Sequence, residues 1–271
     1  MPSNFSPRSW DGLILAAGRG PADPMSQAYA VTHKCLLPVA GKPMLQHVVG
    51  ALRAAPLFRN ITISVEHADL PEGALGPFAD AVNLVPSGNS ASLSVARAFD
   101  SAPLRPPVLV TTADHPLLRQ DIIAHFLAQS TAANADLTVG LATAEVILAA
   151  YPHVRRTFLS FGSERVSGCN LYAFNTASAL KIIGPWHELE DSRKRPWRLV
   201  GALGLGNLIS YLLGSLSLER AFDAASRRLG IVVKPVLLPF AESAIDVDKP
   251  ADLELAESIF RSNDLYQPAI I

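Results

Sequence analysis

Two observations predict an α/β fold with a largely parallel sheet covered by helices on both faces. Short apolar or β-branched runs alternate with stretches of helical spacing, the pattern of repeated strand–helix units. The 271 residues are 49% hydrophobic and only 17% charged, enough apolar material for a sizeable core. That length suits one α/β domain with an insertion, or two small domains. A formal net charge of −1 supplies no global field for nucleic acid. Cys35 and Cys169 are the only cysteines, too few for a disulfide framework and without metal spacing. The first residues are polar and no run approaches the roughly twenty apolar residues of a membrane span. The expectation is a soluble, cytoplasmic chain without a signal peptide.

Taken in order, the chain opens with Gly12-Leu13-Ile14-Leu15-Ala16-Ala17, long enough for one buried strand. It breaks at Gly18-Arg19-Gly20 and runs through a loop rich in Pro and small residues to His33-Lys34-Cys35-Leu36-Leu37-Pro38-Val39. A helix is expected over 43–52, with Pro43 suited to a first turn. Strands are expected at 61–65, 81–85, 107–112 and 136–141, and helices at 90–99, behind a serine cap, and at 117–132. Residues 142–164 read as less regular, with a strand-like 157–159. A strand follows at 169–174, with Asn170 as the odd polar side chain near its start. A helix over 218–229, a strand over 231–238 and a terminal helix over 251–261 close the chain. There is no internal repeat and no low-complexity segment.

Several stretches carry chemistry. A strand feeding a glycine turn points backbone N–H groups at whatever lies above the sheet edge, which suits phosphate oxygens. Lys34 and Lys42 add mobile positive charge to the same loop, so the stretch reads as a grip for a nucleoside triphosphate. Its spacing is neither GxxxxGK[ST] nor a full dinucleotide fingerprint, and an ordinary strand–turn–loop fits the glycines equally well. Gly88-Asn89-Ser90-Ala91-Ser92 reads as a capped strand-to-helix turn that needs no ligand. Asp114 follows a Val-rich strand at its carboxyl end, where open α/β sheets bind ligands. It suits Mg²⁺, which favours one or two carboxylates plus phosphate oxygens; as an alternative it caps a helix near Pro116. Asp246 and Asp248, two apart on an extended segment, share a face. They repel unless a cation sits between them, or they are simply an acidic loop before a helix.

Taken together, Leu15-Ala16-Ala17-Gly18-Arg19-Gly20, Lys34 before Leu36-Leu37-Pro38-Val39, Gly41-Lys42-Pro43-Met44-Leu45, the Ala113-Asp114-His115-Pro116-Leu117 segment and Asp246-Val247-Asp248-Lys249-Pro250 resemble, in order, the MobA-like NTP transferases. That superfamily includes molybdenum-cofactor guanylyltransferase, methylerythritol-phosphate cytidylyltransferase and sugar-phosphate nucleotidylyltransferases. The resemblance implies a single domain over 1–271 with a glycosyltransferase-A-like, Rossmann-like α/β/α sandwich and a mixed, mainly parallel sheet. It implies that residues 15–20 wrap the triphosphate, that Lys34 neutralises the α-phosphate, and that Gly88 and Ser92 hold base and ribose. Asp114, with Asp246 or Asp248, would bind Mg²⁺. Asn170 is an acceptor contact or, equally, a strand-edge Asn. Two positions depart from the pattern: His33 replaces a Pro, and Pro21-Ala22-Asp23-Pro24-Met25 stands where an Arg is usual. His115 occupies a variable position and carries no assigned role.

The resemblance does not cover residues 188–230, read as a helical insertion. It opens with the cationic cluster Asp191-Ser192-Arg193-Lys194-Arg195-Pro196-Trp197-Arg198. This is a solvated face, a grip for an acceptor phosphate through Lys194 and Arg195, or a contact with an anionic membrane surface. The expected activity is Mg²⁺-dependent nucleotidyl transfer from a triphosphate, GTP or CTP, to a phosphorylated small-molecule or lipid-precursor acceptor. No nucleic acid is expected as partner. Rival readings are a nucleotide-sugar-dependent glycosyltransferase and an inactive nucleotide-binding regulatory protein.

Overall fold

Six consecutive buried residues, Trp10–Leu15, form β1, the strand on which the sheet is centred. The computed structural model of the chain describes residues 9–18, 23–66, 70–189, 200–201, 204–262 and 266. After β1 come α1 (Pro24–Ala28), β2 (Pro38–Val39), β3 (Lys42–Pro43), α2 (Met44–Ala54), β4 (Phe58–Val65), β5 (Asn83–Pro86), α3 (Ala91–Ser101) and β6 (Val108–Thr112). Next are α4 (Gln120–Ala132), β7 (Leu137–Thr143), α5 (Ala144–Ala150), β8 (Leu159–Phe161), β9 (Glu164–Phe174) and α6 (Ile183–Leu189). The described chain closes with α7 (Leu205–Leu212), α8 (Leu218–Leu229), β10 (Val233–Leu237) and α9 (Pro250–Ser262).

The main sheet runs β10-β7-β9-β6-β1-β4-β5, with β8 paired to β9. β1 is parallel to β4 and β6, β4 to β5, and β7 to β10; β9 is antiparallel to β6, β7 and β8. The α/β expectation therefore holds, with a mixed, mainly parallel sheet. The pleat sends alternate side chains to opposite faces. On one face Ile14, Ile63 and Leu109 meet Leu45, Val48 and Leu52 of α2 and Ile122 and Phe126 of α4. On the other, Leu13, Leu15 and Val110 meet Val95 and Ala98 of α3, with Trp186 of α6 and Phe222 of α8. A third cluster joins Leu37, Val39, Met44 and Leu117 to Ile245, Val247 and α9, clamping the end of the chain onto the first hairpin.

That hairpin turns at Ala40 (φ 48°) and Gly41 (φ 77°), the two left-handed residues of a type I′ turn. The stretch before it contains a short helix where a loop is expected. Pro24 occupies its first turn, and the Asp23 carboxylate accepts from the N–H groups of Met25 and Ser26 at 3.0 and 3.1 Å. The irregular reading of 142–164 also missed α5, whose Thr143 cap and seven residues are too short for periodicity to register. Within the insertion, α7 leaves Ile209, Leu212 and Leu213 50%, 69% and 76% exposed. Val200, Leu216, Leu218 and Ala221 pack against Leu141, Phe161 and Val166. Among the described residues no helix is long and apolar enough to cross a membrane.

The start of β1 is held by a buried carboxylate. Asp11 accepts from Arg105 N–H (2.8 Å), Asn60 Nδ2 (3.1 Å) and the Arg59 guanidinium (3.2 and 3.3 Å). Removing it strands those donors at the head of the central strand. Asp11→Ala should lower unfolding stability by about 3 kcal/mol, read as a shift of the urea midpoint at unchanged m-value.

Candidate active site

Parallel pairing brings the carboxyl ends of β1, β4, β5 and β6 to one edge of the sheet. The chain leaves β1 for β4 on one side and later returns to β6 on the other. Such a reversal opens a crevice beyond the strand ends. Leu15, Ala16, Ala17 and Gly18 lie at this crevice, with Ala16 N–H donating to the Ser64 carbonyl (2.8 Å) and Ala113 N–H to the Leu15 carbonyl (2.9 Å). Arg19 and Gly20 lie outside the described residues, as do Lys194 and Arg195.

Asp114 is the first acidic residue beyond β6. Lys34, in a short 3-10 turn over Lys34–Leu36, reaches it with Nζ 2.8 Å from Oδ2 and also bonds Asp248 Oδ1. The Lys34 side chain is only 13% exposed. Burial alone would lower its pKa, but the Asp114 and Asp248 carboxylates outweigh that and hold it above the ordinary lysine range. Burial conversely favours the neutral acid of Asp114, and the Lys34 charge overcomes it, leaving the carboxyl below the usual range. Lys42, by contrast, is exposed on β3. Lys34 is the lysine that faces the carboxylates.

The closing segment is tied in by backbone and side chain. Val247 N–H donates to the Asp114 carbonyl at 2.8 Å, so Asp246 and Asp248 flank a residue anchored to the chain just beyond β6. The buried Asp252 carboxylate accepts from Asp248 and Lys249 N–H, both at 3.2 Å. It thereby caps α9 and sets the turn, one half of a capping box. Asp246 faces a different partner from Asp248. It pairs with the Arg156 guanidinium, and its Oδ2 accepts from Asn170 Nδ2 at 3.0 Å. Burial raises the Asp246 pKa, and the nearby Asp114 carboxylate adds to the rise against the pull of Arg156.

Asn170 reaches Asp246 through a distortion of β9. The register against β7 slips between Val139 and Leu141, and Asn170 takes φ 51°. Bulges of this kind re-aim a side chain, and Asn tolerates the left-handed region better than most residues. The expected strand at 169–174 is longer, and its odd polar residue marks the bulge. Arg156, from the irregular stretch between α5 and β8, was not singled out from sequence. The pair Arg155-Arg156 in an aperiodic loop carries no spacing signal.

Ser92 and Gly88 support the turn after β5. Ser92 is fully buried, with its hydroxyl 3.0 Å from Ser90 Oγ and 3.3 Å from His187 Nδ1. In this structure the hydroxyl expected at the ribose is engaged within the turn. Gly88 is required by space, since an added Cβ would lie 2.7 Å from the Leu93 carbonyl carbon and 2.9 Å from Ser94 N. His115 is a core histidine. Its Nε2–H donates to the Glu242 carbonyl at 3.2 Å, and burial holds its pKa down at about 4, so the ring is neutral.

Among the described residues no three His, Cys, Asp or Glu side chains form a ready-made metal cage. The carboxylates hold Lys34 and Arg156 instead. Asp114 Oδ1 is nonetheless buried and without a hydrogen-bond partner. A hard cation sharing phosphate oxygens with one or two carboxylates would meet that atom, so the donor set fits Mg²⁺.

Comparison with known proteins decides the family. The MobA-like NTP transferase domain matches residues 12–165, more than half of the chain. The chain belongs to that family. The MobA-like match includes Lys34, Asp114 and Arg156 and stops short of Asn170, Asp246 and Asp248. The bifunctional protein GlmU of Exiguobacterium sp. is 34% identical over 134 residues, 49% of this chain and 28% of that protein. The chain thus matches little more than a quarter of that curated relative's length. A hypothetical transferase structure from Thermus thermophilus superposes with TM-score 0.76 at 26% identity, covering 91% of this chain and 99% of that one. The 4-diphosphocytidyl-2C-methyl-D-erythritol synthase of Anaerococcus prevotii shares the fold at TM-score 0.58 and 12% identity, over 94% and 99% of the two chains.

Both cysteines lie close to this site yet are inert by burial. Cys35 and Cys169 are 3% and 1% exposed, and burial pushes each thiol pKa up to about 12. At pH 8 only about one thiol in ten thousand would be thiolate. A colorimetric disulfide reagent should therefore find essentially no reactive thiol in the native protein, and both cysteines once it is unfolded in guanidinium.

Proposed function

We propose that this chain transfers a nucleotidyl group from a nucleoside triphosphate to a phosphorylated acceptor and releases pyrophosphate. The observation that carries the reading is Lys34, buried between Asp114 and Asp248 at the crevice beyond the carboxyl ends of β1 and β6. The triphosphate lies over residues 15–18, at and just beyond the end of the buried strand β1. Lys34 leaves the carboxylates for the α-phosphate and takes up the negative charge that grows there. An oxygen of the acceptor phosphate attacks the α-phosphorus in line. The bond from the α-phosphorus to the bridging oxygen breaks, and both electrons depart with pyrophosphate. A phosphate monoester is mostly dianionic at neutral pH, so the attacking oxygen needs no general base. The protein's contribution is positioning and charge neutralisation. Asp114, with Asp246 or Asp248, would hold Mg²⁺, which when bound supplies charge neutralisation at the phosphate oxygens.

GTP and CTP are the triphosphates to test first, and the acceptor is a small polar, pterin-type or lipid-precursor phosphate. Thermal stability with each of the four common ribonucleoside triphosphates, with and without Mg²⁺, should single out one base by mass action. Asp114→Ala should abolish that shift. Lys34→Ala should lower turnover about 10²–10³-fold, the usual scale for one donor to developing charge. Pyrophosphate must appear as product; nucleoside diphosphate in its place would mean glycosyl transfer, and near-normal turnover by Lys34→Ala would remove that residue from the mechanism.

A further inference from the structure

The crevice has two halves, and each brings its own cation. Lys34 serves Asp114 and Asp248, and Arg156 serves Asp246. Among the described residues this cluster has three carboxyl groups and two side-chain cations. A triphosphate adds its charge on the Lys34 half. A second phosphate must then approach within bonding distance, and it needs a cation on its own side.

Arg156 has the attributes of that cation. Its side chain is 12% exposed, so a permanent charge has been drawn out of water at the edge of the site. Its Nε–H is buried with no hydrogen-bond partner, leaving the planar fork incompletely used by Asp246. The residue sits in a stretch, 154–158, without regular secondary structure, so no backbone ladder pins its position. Asp246, meanwhile, has a second donor. Asn170 Nδ2 bonds its Oδ2 at 3.0 Å from the bulged, left-handed position in β9. The carboxylate would therefore keep a partner if the guanidinium moved to another anion. A dianionic phosphate competes well for such a fork, because Arg and phosphate match in geometry and the charge is doubled.

We propose that Arg156 is the acceptor-phosphate receptor: the phosphate monoester of the acceptor takes the guanidinium from Asp246, and Asn170 retains the carboxylate. Arg156 is thus a substrate-binding residue for the second substrate alone. The proposal rests on the nucleotidyl-transfer reading, which calls for the second phosphate; docking of a monoester is measured apart from transfer.

The test uses the full chain with ¹⁵N-labelled arginine, the Nε–Hε signal of Arg156 being assigned by its loss in Arg156→Lys. Inorganic phosphate, glycerol 3-phosphate, phosphoethanolamine and glucose 1-phosphate are the probes, titrated with the most stabilising triphosphate absent and present. The expected result is saturable movement of the Arg156 signal by at least one monoester. Its affinity should fall about tenfold in Arg156→Lys and at least a hundredfold in Arg156→Gln, with triphosphate affinity changed less than twofold. An Arg156 signal unmoved by every probe would overturn the proposal. So would variants that weaken triphosphate and monoester binding equally, the signature of a mere prop for Asp246. If Arg156→Gln does not fold, the wild-type signal and the Lys variant still decide. Failure of the transfer reading shows separately, as no stabilisation by any triphosphate with Mg²⁺.

Discussion

An ammonium buried between two carboxylates is the constraint around which this molecule is arranged. A charge taken out of water must be paired there, and the partners of Lys34 come from 80 and 214 residues further along the chain. The cluster forms only when the first hairpin, the end of β6 and the segment before α9 are all in place. Ion pairs of this sort add little net stability, since desolvation offsets attraction. They concentrate charge at the open end of the sheet, and the proposed reaction would exchange them for phosphate and cation.

The surrounding fold serves that cluster with backbone rather than side-chain chemistry. Val247 N–H on the Asp114 carbonyl aligns the closing acidic segment with the end of β6, and Asp252 holds its turn from below. The apolar cluster of Leu37, Val39, Met44, Ile245, Val247 and α9 fastens both ends of the chain together beneath the site. Antiparallel β9 crosses between parallel β6 and β7, and its bulge delivers Asn170 to Asp246. Each device is buried or nearly so, which gives the exposed face of the crevice a rigid floor.

The charges of the site divide into two groups, which the proposed reaction would use for nucleotide and for acceptor. Lys34 with Asp114 and Asp248 occupies the mouth of β1 and β6. Arg156 with Asp246 and Asn170 lies beyond it. A transfer reaction between two phosphates calls for such a division, because two polyanions must be neutralised separately and then brought to one phosphorus atom. The MobA-like match ends at residue 165. Arg156 lies inside that match, and Asn170 and Asp246 lie beyond it.

What the sequence determined by itself was local or periodic. Continuous apolar runs separated by helical spacing announce strands buried on both faces, and β1, β6, α3, α8 and α9 fall close to where that patterning puts them. Lys34, Asp114, Asp246 and Asp248 stand out in the motifs that resemble the family, and the structure brings Lys34 to Asp114 and Asp248. Tertiary structure decided everything that depends on contact across the chain. The burial of Ser92 and the contacts of its hydroxyl with Ser90 and His187 are set by packing across the chain. Asp246 and Asp248 are two residues apart and look equivalent in sequence, but one meets Arg156 and the other Lys34. Arg156 has no periodicity or motif to mark it and acquires its place only from the carboxylate it faces. Patterning reports which residues are withdrawn from water; it does not report which charges meet once they are, because that pairing is set by strand order and register.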